Sequence, residues 1–381
     1  MPASRWDIFC SVVDNFGDIG ICWRLARQLA VEHDLVVRLW VDDLASFRRI
    51  NPDIDPAAAV QHSRGVEVCR WDAPFPAVTP DDVADVVIDT FACTLPEPYL
   101  HAMAARREAP RWVTVEHLSA EDWVAGCHGL ASPQPQLPLS RHFFFPGFAP
   151  GTGGLLRERG LPEARRAFQA DATAQAAFWA GLGVPPAGDE LRLSLFAYDC
   201  ADSVPLLRRW EGSARPLRCL VPDGALARRM GEVYGAEAVP GACFGAGALT
   251  VQVLPFVEQD RYDRLLWACD VNFVRGEDSF VRAQWAGRPL VWQPYRQDED
   301  AHSHKLEAFL HRYCAGLGPL EAAALSDMWR AWNRETGMAA HWDAFLAHRV
   351  AYAVHAELWA RQMSDLGDLV TNLVFFCRKP L

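Results

Sequence analysis

Short β-branched runs alternate with stretches of helical periodicity, and the alternation runs twice along the chain; no other property restricts the fold as much. The first series reads "WDIFCSVV", "GICWRLARQLAVEH", "LVVRLWV", "GVEVCRW", "ADVVIDTF", "YLHAMAARR" and "RWVTVEHL" within the first 120 residues. Alternation of this kind implies a parallel sheet wrapped by helices, because parallel neighbours are joined by helical crossovers. From Ala131 to Gly160 the pattern breaks into "SPQPQLP", "FFFPGFAP" and "GTGG", the proline and glycine punctuation of a loop or crossover. A second series starts at "LRLSLFAY" and continues through "LRCLVP", "LTVQVLPF", "RYDRLLWAC", "DVNFVR" and "SFVRAQWAG" to "PLVWQPY". From His302 onward the chain reads mainly as helix.

The expected fold class is therefore α/β, with two facing Rossmann-like domains and a helical C-terminal segment. The domains span residues 1–150 and 151–381, and the last helices close the second while leaning back on the first. Facing domains of this type set the carboxyl ends of both sheets along one cleft, where open α/β sheets bind ligands. Nucleotide-sugar transferases of the two-Rossmann (GT-B) type use this plan. So do unrelated binding proteins and some epimerases, so fold alone does not choose among them.

Composition narrows the classes. A chain of 381 residues with 50% hydrophobic content can bury a large core, no apolar run reaches the ~18 residues that span a bilayer, and the start "MPASRWDIFC" has no signal-peptide character. A cytoplasmic location is the expectation. The eleven cysteines are scattered through apolar segments, such as Cys22, Cys69, Cys219 and Cys269, without zinc spacing, and read as reduced core residues. A net charge of -11 argues against broad electrostatic binding to nucleic acid or an anionic membrane, and favours a protein or small-molecule partner.

Three constellations can carry chemistry. In "VVDNFGDIGICW", Asp14 and Asp18 fall on the loop after the first strand, with Gly17 and Gly20 permitting a tight turn and close approach of a ligand. The pair reads either as an Asx turn with a helix-capping carboxylate or as a general base at the mouth of the cleft. In "FVRGEDSFVRAQWAG", a strand ends at Val274 and a helix opens at Ser279, so backbone N–H groups and Arg275 suit phosphate oxygens. Glu277 and Asp278 would repel a pyrophosphate unless they turn toward sugar hydroxyls or a cationic acceptor; otherwise they are an acidic first turn complementing the helix dipole. In "YDCADS" and "LPFVEQDRYD", Tyr198, Phe256 and Gln259 follow strand ends and could stack on and hydrogen-bond a nucleobase, although an aromatic there is more often core. "GTGG" lacks dinucleotide-fingerprint spacing, and the acidic runs at Asp42–Asp43 and Asp298–Asp300 read more simply as solvated or capping carboxylates than as metal ligands.

With "DNFGDIG" and "RGEDS" together, and "EHLSAEDW" and "SPQPQLP" between them, the chain resembles nearly end to end the bacterial arginine rhamnosyltransferases that modify translation elongation factor P, the EarP family. The resemblance implies an inverting glycosyltransferase with TDP-β-L-rhamnose as donor and a loop-tip arginine of elongation factor P as acceptor. It implies an acceptor-binding first domain with a loop of Asn15, Phe16, Gly17 and Gly20, and a nucleotide-sugar-binding second domain. Asp14, Asp18 and Glu277 match the family's catalytic acids. Arg275, Asp278 and Ser279 match positions around diphosphate and sugar, while Tyr198, Phe256 and Gln259 match nucleotide-binding positions, with Phe256 stacking on thymine. A guanidinium of pKa ~12.5 or above needs carboxylates to hold it and to take its proton, which suits these acids. Asp18 is expected to be the base and Asp14 to orient the guanidinium or support the loop, and the residues alone also admit the reverse assignment. Arg275 and a helix N-terminus can meet the charge on the leaving diphosphate, so no metal or other cofactor is expected. The competing readings are another nucleotide-sugar enzyme of the same fold, an epimerase or hydrolase, and a non-catalytic module that binds a translation factor.

Overall fold

The computed structural model describes residues 4–14, 16–186, 188–198, 203–296 and 301–379. They fall into two compact units, Met1–Arg159 with Met363–Leu381, and Gly160–Gln362. Among the described residues no helix is long and apolar enough to cross a membrane.

Among the described residues unit 1 is built on eight strands: β1 (Arg5–Cys10), β2 (Val36–Val41), β3 (Val60–Ser63), β4 (Val66–Arg70), β5 (Val86–Thr90), β6 (Arg111–Val115), β7 (Ala131–Pro133) and β8 (Ser140–Phe144). Their order is β3-β4-β2-β1-β5-β6-β8-β7, parallel from β4 through β8, with antiparallel β3 and β7 on the edges. The register sets Ile8 beside Leu39 and Ile88, so the near-continuous apolar runs are strands covered on both faces. On one face Phe9, Val87, Tyr99, Met103 and Trp112 share a cluster, with the Phe9 ring 4.8 Å from that of Tyr99.

One charge is enclosed beside that cluster. Asp7 is fully buried on β1 and accepts from Arg38 Nε at 2.8 Å, Arg38 Nη2 at 2.6 Å and Tyr99 Oη at 2.5 Å. A carboxylate in such a place is tolerable only when paired and hydrogen-bonded, as this one is.

Among the described residues unit 2 has six strands: β9 (Leu191–Leu195), β10 (Leu217–Pro222), β11 (Cys243–Phe244), β12 (Leu249–Leu254), β13 (Val271–Arg275) and β14 (Leu290–Gln293). Their order is β11-β12-β10-β9-β13-β14, parallel except for β11. Helices rich in aromatic residues cover this sheet: Trp332 and Trp342 flank Phe273, and Phe309 packs edge-on to Phe280 with ring centroids 4.7 Å apart. Both sheets thus show the expected doubly wound α/β pattern.

The boundary falls after Arg159 and not after residue 150, while the return of the last helix to unit 1 follows the expected leaning back. Residues 151–159 belong with unit 1, and so does the chain from Met363. The cause is local bonding. Arg24 pairs with Glu158 at 3.2 Å, and Gln28 Nε2 donates to Arg157 O at 2.9 Å and to Asp368 Oδ1 at 3.0 Å. Leu369 N donates to Leu155 O, Asn372 Nδ2 to Gly153 O, and Phe376 lies against Phe144. Proline and glycine mark that a loop is present; they do not say which unit it packs on.

Asp89, fully buried on β5, accepts from Trp112 Nε1 at 2.5 Å and Thr114 Oγ1 at 3.0 Å, while its Oδ2 has no partner. Burial pushes this carboxyl up to about 6, against those two hydrogen bonds, which favour the ionised form. A carboxyl whose folded-state affinity for the proton exceeds its unfolded one stabilises the fold at low pH, and that stabilisation is lost as pH rises from about 4 through about 6. Asp89→Asn removes the ionisation and should stabilise the protein at pH 8 by on the order of 2 kcal/mol. The gain should shrink toward pH 4, and urea unfolding followed at both pH values measures it.

Candidate active site

Each unit places its first strand in the interior of its sheet. In unit 1 the chain moves from β1 to β2 and β4 on one side, then to β5, β6 and β8 on the other, so crossovers leave β1 and β5 in opposite directions and open a crevice at their carboxyl ends. Unit 2 repeats the arrangement at β9 and β13. The first two sequence constellations lie at these two switch points, and Tyr198 of the third joins the second of them.

Beyond β1 the backbone is held from outside the loop. Asp42, just after β2, accepts from Ser11 Oγ at 2.6 Å and Val12 N at 2.9 Å. Asp43 instead caps the Leu44–Ile50 helix through Ser46 N at 3.0 Å. The acidic run at 42–43 is thus a brace and a cap.

The helix Gly17–His33 follows, and Asp18 stands in its first turn. Its side chain reaches backwards. Oδ2 accepts from Val13 N at 2.8 Å and Asp14 N at 2.9 Å, which closes the loop onto the helix start. Asp18 is buried, whereas Asp14 is half-exposed. Burial raises the Asp18 carboxyl above the usual aspartate range and Asp14 adds to this; the two backbone hydrogen bonds and the nearby His117 act in the other direction.

The two glycines act differently from one another, and Gly17 closes the expected tight turn by donating its N–H to Asp14 O at 2.6 Å. Gly17 opens the helix, and a Cβ there would meet Asp14 Oδ2 at 2.7 Å, so what the position requires is room for that carboxylate. Gly20 lies within the helix, buried, and its N donates to Phe16 O at 3.0 Å. Neither has the left-handed backbone that only glycine adopts freely. Phe16 is half-buried at the N-cap, and Asn15 lies outside the described residues.

In unit 2, Arg275 is the last residue of β13 and its guanidinium is held between two rings. The guanidinium carbon lies 4.4 Å from the centroid of Tyr198 and 4.6 Å from that of Phe196. Both rings follow β9, which ends at Leu195, so Tyr198 stands beyond that strand and does not close it. Tyr198 N donates to Gln293 Oε1 at 2.9 Å, which fixes the segment to the end of β14. Gly276, at φ +60°, turns the chain after Arg275; its N donates to Gln293 O and its carbonyl accepts from Trp292 Nε1 at 2.7 Å.

The helix Asp278–Trp285 begins directly after this turn. Ser279 Oγ accepts from Arg275 N at 3.1 Å and donates to Arg275 O, so the hydroxyl locks the turn. Glu277 occupies the N-cap position, but its side chain makes no capping bond. Asp278 Oδ2 accepts from Gln259 Nε2 at 3.1 Å, which brings the third constellation to the second. Gln259 opens the helix Gln259–Ala268, and half-buried Phe256 precedes it after β12. The two helices are joined by a buried bidentate pair, Arg282 Nε to Asp263 Oδ1 at 2.9 Å and Arg282 Nη2 to Asp263 Oδ2 at 2.5 Å. Residues 199–202 and Asp298–Asp300 lie outside the described residues.

The structure therefore gathers Asp14, Asp18 and Gly17 in unit 1, and Tyr198, Arg275, Ser279, Asp278 and Gln259 in unit 2. Sequence reasoning missed Asp42, Phe196 and Gln293, which brace these groups from distant strands. It also missed Phe91, whose ring stacks on His117 with centroids 4.4 Å apart and planes 15° apart. Phe91 and Ala92 have φ of +56° and +54°, a conformation that costs a non-glycine residue about 1 kcal/mol or more. "EHLSAEDW" was the available signal for His117, but nothing in it singles out that residue.

Residues 6–378 match the family described as elongation factor P (EF-P) rhamnosyltransferase EarP. The chain belongs to the EarP family. A protein-arginine rhamnosyltransferase of Pseudomonas putida is 52% identical over 379 residues, covering 99% of this chain and 100% of its own length. That of Pseudomonas aeruginosa is 50% identical over 374 residues, 98% of each chain. A solved structure described as the structural basis for EarP-mediated arginine glycosylation of translation elongation factor EF-P has a TM-score of 0.72 and 39% identity, covering 99% of this chain and 100% of that one. Membership in EarP makes the chain a glycosyltransferase.

The Arg282–Asp263 pair carries the two helix starts of the unit 2 site, with side chains 2% and 7% exposed. Asp263→Ala removes the buried carboxylate that pairs with Arg282 and should cost about 3–5 kcal/mol in urea unfolding. Asp263→Ala combined with Arg282→Met should recover much of that loss.

Proposed function

We propose that this EarP member transfers L-rhamnose from TDP-β-L-rhamnose to an arginine side chain of elongation factor P, with inversion at the anomeric carbon. The observation that carries the reading is Asp18, a carboxylate enclosed at the unit 1 switch point with its affinity for a proton raised and its position fixed by two backbone N–H groups. A base for a guanidinium has to be ionised before reaction and willing to take a proton during it, and an elevated carboxyl serves both. Half-exposed Asp14 orients the acceptor by accepting charge-assisted hydrogen bonds, which a planar guanidinium can donate in pairs from its N–H fork.

In the proposed step a guanidinium nitrogen attacks the anomeric carbon opposite the leaving diphosphate. The bond from carbon to phosphate oxygen breaks as the new carbon–nitrogen bond forms, and the nitrogen's proton passes to Asp18. Charge gathers on the departing TDP, where Arg275, clamped between Phe196 and Tyr198, and the N–H groups at the start of the Asp278–Trp285 helix can meet it. Glu277 faces the sugar or the cationic acceptor, Asp278 and Gln259 hold sugar or base hydroxyl and amide groups, and Phe256 stacks on thymine. The reaction takes place in the cytosol and requires no metal.

Incubating elongation factor P with the protein and TDP-rhamnose should add one deoxyhexose to the intact mass of the acceptor. Asp18→Asn should reduce the rate at least ~100-fold, the usual contribution of a positioned base. Undiminished transfer by that variant would overturn the assignment, and donor turnover at full rate without acceptor would make the protein a hydrolase or epimerase. EDTA should leave the transfer rate unchanged; a loss restored by magnesium would overturn the metal-free mechanism.

A further inference from the structure

β14 is an apolar strand that ends in an amide. Leu290, Val291 and Trp292 are buried as their residue types demand, and Gln293, 2% exposed, is buried with them. A buried amide is tolerable where its polar atoms find partners, and the partner of this oxygen lies two strands away. β13 stands between β9 and β14, with Arg275 in register with Gln293. The Gln293 side chain therefore passes across the end of β13 to the segment beyond β9, where its Oε1 accepts from Tyr198 N at 2.9 Å. Its backbone carbonyl accepts from Gly276 N, also at 2.9 Å. A single residue thus bonds both to the segment that carries the Tyr198 ring and to the turn that directly follows Arg275.

The bond falls where the sheet gives out. Phe196 N still donates to Phe273 O at 3.0 Å, so the first ring against Arg275 is set by the backbone of β13. Tyr198 stands two residues farther on, with its ring centroid 4.4 Å from the guanidinium carbon and its other contact an edge-on one with Tyr295 at 5.7 Å. We propose that Gln293 is a positioning residue of the unit 2 site: by holding the Tyr198 backbone it keeps the Tyr198 ring on Arg275, and so presents the guanidinium to the diphosphate of the donor in one orientation. The inference rests on the reading of unit 2 as the nucleotide-sugar site. A guanidinium confined before the ligand arrives loses less side-chain freedom on binding, so the confinement appears as affinity.

Calorimetry of TDP binding to the full-length protein reads this without transfer. Gln293→Met keeps the length of the side chain and removes the acceptor, so TDP should bind roughly 5- to 10-fold more weakly, about what one lost hydrogen bond represents. Tyr198→Leu should weaken binding as well, and Gln293→Met added to it should change nothing more, because its effect passes through the ring. In the transfer assay Gln293→Met should raise KM for the donor and leave KM for elongation factor P in place. Wild-type affinity in Gln293→Met, losses that multiply in the double variant, or a rise in both KM values overturns the inference while the proposed function stands. Wild-type protein that binds no TDP overturns the proposed function, and the inference with it. If Gln293→Met does not fold, hydrogen exchange of the wild-type protein decides: the Tyr198 N–H should exchange slowly before any ligand is added, and exchange at the rate of an open loop overturns the inference.

Discussion

The backward reach of Asp18 is the contact on which the unit 1 site depends. One carboxylate oxygen takes the N–H groups of Val13 and Asp14, which makes the loop after β1 continuous with the helix that follows. The carboxylate proposed as the base is therefore the group that shapes the loop, and the second carboxylate is placed by the first. Asp14 has its backbone N–H on Asp18 and its side chain over Gly17, so each member of the pair limits where the other can go. Asp42 holds the two residues ahead of them from a neighbouring strand. A site of this kind derives its precision from backbone hydrogen bonds more than from packing.

Unit 2 solves a different electrostatic problem. In the proposed role Arg275 meets an anion without wandering, and a long flexible side chain is poorly suited to that unless its guanidinium is confined. Phe196 and Tyr198 confine it by their faces, which leaves the in-plane N–H fork to recognise oxygens. Ser279 and Gly276 set the start of the neighbouring helix at the same turn, so the cation and the helix N-terminus belong to one rigid feature. Glu277 and Asp278 stand at the start of the same helix, and Asp278 is already engaged with Gln259.

Much of this was legible in the residues. Continuous apolar runs separated by helical spacing identify two parallel sheets, and the carboxyl ends of first strands are where α/β sheets hold ligands, so "DNFGDIG" and "FVRGEDS" fell where they should. What was not legible depends on side chains meeting across strands. Asp42 beside Asp43 looks like an ordinary acidic pair, and only the sheet order shows that one braces the β1 loop while the other caps a helix. The use of Gly17 could not be told from that of Gly20, because spacing does not reveal that a carboxylate lies over one of them. Phe91 and His117 are 26 positions apart, and Phe196 and Arg275 are 79 apart; no local period links either pair. The same blindness misplaced the domain boundary, since "GTGG" announces a turn but not its destination.

The return of the chain to unit 1 has a consequence for how that unit comes into being. Its last helix, Leu369–Arg378, is tied through Asp368 to Gln28, on the helix that begins with Gly17, and through Asn372 to Gly153. During synthesis those partners are made first and must wait for all of unit 2 to be translated before the final helix can reach them. The half of the protein that carries the paired carboxylates is thus the earlier to start and the later to be finished. A ribosome that stops short of the last 19 residues releases a chain whose first sheet is complete in strands and incomplete in support.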